Sequence, residues 1–259
     1  MNPIEVRELF DQRMRRDPPE IDGYRIEKIG TLVRLIGSSD HTILYSRPRP
    51  EEAAHLVAAQ VADLKPRGQT VEWKVYSHDQ PPELPGLLAL AGFVADPSET
   101  LMAFDLRSDL PDHSFPERSE VREIRTEDGF RDLVAVDRAA FGRPDPTRYD
   151  RLHSHLADPR IANFVAYLKG KPVASGRVQV EQGRPFAGLF GGGTIPRFRR
   201  RGIYHRLLSV RAEFARKAGA RYLLVEAVDT TSRPILEKAG FVPLAGVVGW
   251  VLEPNTGSP

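Results

Sequence analysis

The sequence predicts an α/β (α+β) protein built from two similar units, and three observations point there. Segments with period-two alternation and segments with helical periodicity follow one another along the chain. The run Leu88-Ala89-Leu90-Ala91-Gly92-Phe93-Val94 returns 148 positions later as Leu236-Glu237-Lys238-Ala239-Gly240-Phe241-Val242. Both follow a strand and a polar loop and precede an apolar stretch, which suggests two copies of one fold unit. Finally, 259 residues are enough for two domains that each bury a core. The expected domains are 1–112 and 113–259, joined through the polar, proline-punctuated Arg107–Arg118.

In order, residues 3–16 read as a helix and Tyr24–Gly37 as a strand pair. A turn at Ser38-Ser39-Asp40 leads to a strand at Thr42–Tyr45. Pro50 suits a helix start, so Glu51–Leu64 is the next helix. A strand at Glu72–Tyr76, a short helix at Glu83–Leu90 and a strand at Leu101–Leu106 complete the first copy. The second opens with strand Val121–Ile124, and Thr126-Glu127-Asp128 caps a helix reaching Phe141. Arg143-Pro144-Asp145-Pro146 breaks the chain before a helix over Thr147–Ala157. Strands Ile161–Leu168, Val173–Val180 and Phe186–Thr194 follow, joined by hairpin turns at Lys169–Pro172 and Glu181–Arg184. A helix from Gly202, a strand at Tyr222–Val228, a helix at Ser232–Lys238 and a strand at Val247–Leu252 close the chain.

The chemistry is placed at Phe190–Leu208, where an apolar strand runs into glycines, a Thr194-Ile195-Pro196 exit, a basic turn and an amphipathic helix. Ile203, Leu207, Val210 and Phe214 share one face, and Gly219 is the expected stop. The free N–H groups and the dipole of a helix N-terminus favour an anion. Arg199, Arg200 and Arg201 add charge, and Gly202 lets a phosphate approach the backbone. A solvated basic turn is the competing reading of the arginines alone. No Gly-Lys-Ser/Thr follows the glycines, and Pro196 stands where a dinucleotide fingerprint needs glycine.

Arg199-Arg200-Arg201-Gly202-Ile203-Tyr204 resembles the Arg/Gln-x-x-Gly-x-Gly/Ala turn of the GNAT superfamily of acyl-CoA-dependent N-acetyltransferases, with Tyr204 replacing the small residue. Thr194-Ile195-Pro196 resembles that family's Val-x-Pro strand exit, and Gly-Phe after a short helix, its second landmark, occurs in both halves. The resemblance covers residues 120–253 closely and 24–106 more faintly. It implies two GNAT-like units, each a mixed, largely antiparallel sheet flanked by helices. It also implies acetyl-CoA as co-substrate and a small-molecule or peptide amine as acceptor. The pantetheine arm would lie along the backbone of Thr194, Ile195 and Pro196. Arg199, Arg200, Arg201, Gly202, Ile203, Tyr204 and His205 would hold the diphosphate, with Ser232 completing the cofactor set. In the family's Asn-x-x-Ala-x-x-x-Tyr signature, Asp229, Ser232 and Leu236 occupy the Asn, Ala and Tyr positions. Leucine cannot supply the proton that the family's tyrosine gives. Glu226 and Asp229 are the candidate catalytic bases, although a strand residue exposed to solvent and a helix cap are their bland alternatives.

The first copy lacks this cradle: Arg47-Pro48-Arg49-Pro50-Glu51-Glu52 removes N–H donors and puts carboxylates where an anion would sit. It is read as a degenerate copy. Thirty-seven basic against 35 acidic residues is too balanced for a nucleic-acid footprint, and no run is apolar enough to cross a membrane. Without cysteine there is no disulfide framework, thiol nucleophile or Cys-based zinc site. His153 and His155 point to different helix faces, so no metal is expected. A cytoplasmic protein results. The alternatives to an enzyme are a non-catalytic acyl-CoA-binding module and a nucleic-acid surface centred on Arg197–Arg206. Phe141, Tyr149 and Phe164 are candidates for lining the acceptor side, and oligomeric state is unreadable.

Overall fold

A computed structural model describes residues 1–38, 40–111, 115–142 and 146–254. The central residue of the Ser38–Asp40 turn, part of the expected linker and most of the Arg143–Pro146 break lie outside them. Helix α1 (Pro3–Phe10) runs into a π-helical turn at Asp11–Arg16, where one helix was expected. Next come β1 (Arg25–Ile29), β2 (Leu32–Ile36), β3 (Asp40–Ser46), α2 (Pro50–Leu64), β4 (Thr70–Tyr76), α3 (Leu84–Leu90), β5 (Val94–Ala95) and β6 (Glu99–Asp105). The rest comprises β7 (Ser119–Ile124), α4 (Glu127–Phe141), α5 (Pro146–Ser154), β8 (Ile161–Leu168), β9 (Lys171–Val180), β10 (Phe186–Thr194), α6 (Ile203–Lys217), β11 (Tyr222–Val228), α7 (Arg233–Lys238) and β12 (Val242–Leu252). No described helix is long and apolar enough to cross a membrane.

The chain forms two compact units. The first takes Met1–Met102, Glu226–Ile235 and the chain from Pro243; the second takes Ala103–Val225 and Leu236–Val242. They are interleaved in sequence, unlike two contiguous domains of 1–112 and 113–259. In the first unit β1, β2 and β3 are antiparallel neighbours and β3 runs parallel to β4. The other edge of β4 is filled by β12, with Trp250 opposite Trp73. Sequence order assigns that last strand to the second copy. The structure instead returns it to the first unit, where it satisfies an edge that would otherwise expose backbone groups. Trp73, Leu32, Ile43, Val57, Leu88 and Leu252 make this unit's core.

In the second unit β7, β8, β9 and β10 are successive antiparallel neighbours, and β10 runs parallel to β11. A mixed, largely antiparallel sheet is the architecture that the family resemblance implies. Thr126 caps α4 by accepting from Gly129 N–H at 3.3 Å, and α4 ends at Gly142 with a positive φ of 69°. Helices α4 and α6 cover opposite faces of the sheet. A side chain at Gly193 would meet Phe141 of α4, whereas one at Gly192 would meet Tyr204 and Arg211 of α6. The buried face of α6 carries Ile203, Leu207, Leu208, Arg211, Ala212 and Ala215. It is rotated from the expected stripe, leaving Val210 and Phe214 only partly covered.

Candidate functional site

The central feature of the second unit is the exit of β10. This strand pairs with β11 only at Phe186–Gly188 against Tyr222–Leu224, while β9 follows it to Thr194. Its register with β9 shifts between Phe190 and Gly193, so Gly191 and Gly192 form a bulge. Gly191 has a φ of 56°, and both bulge residues are exposed. On the α4 side a Cβ at Gly193 would sit 2.5 Å from the Phe141 ring, which only glycine tolerates. Phe141 therefore packs on the strand. Phe164, another expected acceptor-side aromatic, is a core residue edge-on to Phe214 at 6.3 Å, and Tyr149 packs against the core beside α4.

After Thr194 the chain turns through Pro196–Phe198 to α6. Ile195 N–H still reaches Val173 O, at 3.0 Å, and Arg199 Nε returns to Thr194 O, also at 3.0 Å. That bond ties the first turn arginine to the strand exit. The Thr194 hydroxyl is buried with no hydrogen-bond partner. Arg200 and Gly202 both adopt left-handed backbone conformations, with φ of 63° and 73°. Arg200 is a non-glycine residue held where side chains rarely go. No side chain caps α6. Its first-turn amides therefore stand at Gly202 beside the exposed Arg199, Arg200 and Arg201. This arrangement fits a diphosphate, because amide donors, a favourable dipole and guanidinium groups meet at one place. Ile203 is buried, while Tyr204 and His205 are half-buried on the same turn. The α2 end in the first unit differs as expected: Pro50 opens it, Glu51 and Glu52 occupy its first turn, and Glu52 pairs with Arg49.

The expected bases belong to the first unit. Glu226 pairs with Lys74 and accepts from the Tyr76 hydroxyl at 2.6 Å. Burial opposes its ionisation, but the Lys74 charge and these hydrogen bonds prevail and hold its pKa below the usual range. Asp229 accepts from Ser98 Oγ at 2.8 Å, Thr100 Oγ1 at 2.6 Å and Arg233 at 3.3 Å, which likewise hold its pKa low. It does not supply the expected helix cap among the bonds seen there. The amides of Thr231 and Ser232 bond Val228 O, and the Ser232 hydroxyl points to the same carbonyl. Leu236 is fully buried. His153 pairs with Glu127 at 2.5 Å, and His155 meets Arg177 at 3.1 Å. Among the described residues no group of three or more His, Cys, Asp or Glu is placed to hold a metal ion.

Three features escaped the sequence reading. Glu72, Lys74 and Tyr76 share one face of β4, a period-two pattern legible in the sequence. Glu99 has its pKa raised to about 7, first by burial and then by the charge of Glu226. Nothing local in Ser98-Glu99-Thr100 signals this. Arg211 is buried on the apolar face of α6, four residues after Leu207 and eight after Ile203, a spacing that could have exposed it.

Comparison with known proteins agrees with this geometry. Residues 120–241 match the model of the acetyltransferase (GNAT) family. The whole fold is similar to that of a GCN5-related N-acetyltransferase from Kribbella flavida. That match has a TM-score of 0.69 at 16% identity and covers 96% of this chain and 95% of that one. A second GCN5-related N-acetyltransferase, from Sphaerobacter thermophilus, has a TM-score of 0.66 at 18% identity, over 86% and 76% of the two chains. A tandem GNAT protein from the clavulanic acid biosynthesis pathway has a TM-score of 0.61 at 15% identity, over 92% and 86%. No curated protein matches the sequence significantly. Residues 120–241, which carry the strand exit, basic turn and uncapped helix described above, are thus similar to the acetyltransferase (GNAT) family.

Proposed function

We propose that the protein is an acetyl-CoA-dependent N-acetyltransferase acting in the cytoplasm on the amine of a small molecule or peptide. The reading treats residues 113–259 as the active copy and 1–112 as a degenerate one that has lost the anion cradle. The observation that carries it is α6, opening at Gly202 without a side-chain cap and beside three exposed arginines. Acetyl-CoA, when bound, supplies an activated acetyl group as a thioester. Gly202, Ile203, Tyr204 and His205 would offer the first turn of α6 to its diphosphate, with Arg199, Arg200 and Arg201 alongside. The backbone of Thr194, Ile195 and Pro196 would hold the pantetheine arm, and Ser232 would contribute a hydroxyl.

The acceptor nitrogen must be neutral to attack, so a base has to take its proton as the N–C bond forms and the C–S bond breaks. Glu226 and Asp229 are ionised and held by donors, which suits them to attract a cationic amine. Glu99 has its pKa raised to about 7 by burial and by the charge of Glu226, so its protonation changes near neutrality. Its replacement should be visible in stability. The folded pKa lies above the ordinary value of 4.5. Between these two values the folded chain therefore holds a proton that the unfolded chain has lost, and stability falls as pH rises through this window. Glu99→Gln should gain about 1–3 kcal/mol over wild type at pH 8 and nothing below about pH 4.5. Denaturant unfolding at both ends of that range checks this, and a pH-independent difference would refute it.

Leu236 favours a second reading, a non-catalytic acyl-CoA-binding module, because a buried leucine offers no proton to a leaving thiolate. One assay separates them: acetyl-CoA with a panel of polyamines, aminoglycosides, amino acids and peptides, read by free thiol and by melting temperature. Amine-dependent thiol release is the expected result. A raised melting temperature without release across the panel favours the binding module, and no thermal shift at all overturns both.

A further inference from the structure

Arg211 is 1% exposed on the face of α6 that packs against β9 and β10. Its guanidinium bonds Leu207 O through Nε at 3.2 Å and lies 5.7 Å from the centroid of the Tyr204 ring. Nη2 has no hydrogen-bond partner, and among the described residues no carboxylate pairs with this cation. Burial consequently draws its pKa down.

Packing does not account for such a group. An unpaired buried charge is costly, and an apolar side chain of similar length would fill the volume without desolvation. Two glycines make room for it. A Cβ at Gly176 of β9 would come within 3.0 Å of Nη1 and 3.1 Å of Cζ, and one at Gly192 within 3.3 Å of Nη1 and 3.5 Å of Nη2. Gly192 belongs to the exposed β10 bulge, so the bare strand carries solvent-exposed backbone directly over the guanidinium.

We infer that Arg211 is a positioning residue whose uncompensated charge, seated beneath the Gly191–Gly193 bulge, stabilises the negative charge that develops on the acyl oxygen there. The inference rests on the acyl-transfer reading. In that reaction the carbonyl oxygen gains charge as the amine adds and returns it as the C–S bond breaks. A fixed cation under the strand favours the charged state without moving. The Tyr204 ring lies against the guanidinium without pairing its charge, which leaves that charge unspent. This also gives the large residue at that position of the turn a purpose.

The test compares Arg211→Met, which removes the charge, with Arg211→Lys, which keeps it. Arg211→Met should melt at or above the wild-type temperature and bind acetyl-CoA within about threefold of wild type, while kcat falls about 10- to 50-fold. Arg211→Lys should recover most of that loss. Stability and turnover moving in opposite directions is a result that a purely structural arginine does not give. If the Met variant keeps kcat within twofold, fails to fold, or loses kcat only along with melting temperature and without rescue by lysine, the inference is overturned. A wild-type protein that binds acetyl-CoA but acetylates nothing overturns the acyl-transfer reading itself, and this inference falls with it. Turnover by wild type with an unaffected Met variant overturns the inference alone.

Discussion

Gly202→Glu should lower acetyl-CoA affinity at least about 100-fold, roughly 2.7 kcal/mol, while leaving the protein folded. Two effects combine. Gly202 sits at a φ of 73°, where a side chain costs about 1 kcal/mol. The new carboxylate would then stand at the uncapped end of α6, satisfy its amides and repel a diphosphate. A carboxylate also suits a helix N-terminus, so it offsets part of the backbone strain and the melting temperature should drop only slightly. Gly202→Ala separates the causes, since it carries the strain without the charge and should weaken binding tenfold or less. Calorimetry on the two variants decides it. A glutamate variant that binds within threefold of wild type would remove the diphosphate from this helix and with it the basis of the proposed activity.

The second large effect belongs to the carboxylates of the first unit. Lys74 pairs with Glu226 and also feels Glu72 and Glu99. Burial works against its charge, but the surrounding carboxylates prevail and raise its pKa above the ordinary value. Lys74→Met would leave Glu226 with the Tyr76 hydroxyl and only the weaker pull of the Arg15 charge, and breaking such a pair costs about 3–5 kcal/mol at neutral pH. Without Lys74, the folded pKa of Glu226 should move above its unfolded value. The folded protein would then take up a proton as pH falls, and the lost stability should return toward pH 5. Unfolding at pH 8 and pH 5 tests the sign. A loss below 1 kcal/mol, or one that is the same at both values, would show that Lys74 is not the compensating charge.

Much of the architecture was written locally. The apolar strand ending in glycines at Phe186–Thr194 and the helical periodicity beginning at Ile203 placed β10 and α6 correctly, because each depends on neighbours within a turn or a strand. The same holds for the Thr126 cap and for the prolines and glutamates that spoil the α2 end. Where the reading fell short, the cause was contacts distant in sequence. The spacing of Arg211 from Ile203 and Leu207 marks its face, but that it lacks a counter-charge shows only once its helix packs on β9 and β10. Glu99 reads as an ordinary carboxylate until Glu226, 127 positions on, is folded against its surroundings.

What the sequence determined by itself was the order of elements and the anion-seeking character of the turn before α6, since periodicity, glycine and charge act over a few residues. Only the tertiary structure decided that β12 fills the edge of β4, which carboxylates share one environment, and that a cation lies unpaired under the bulge. A strand's partner is chosen by which edge is left open, and a side chain's charge state by what surrounds it; neither is a property of the residues beside it in the chain.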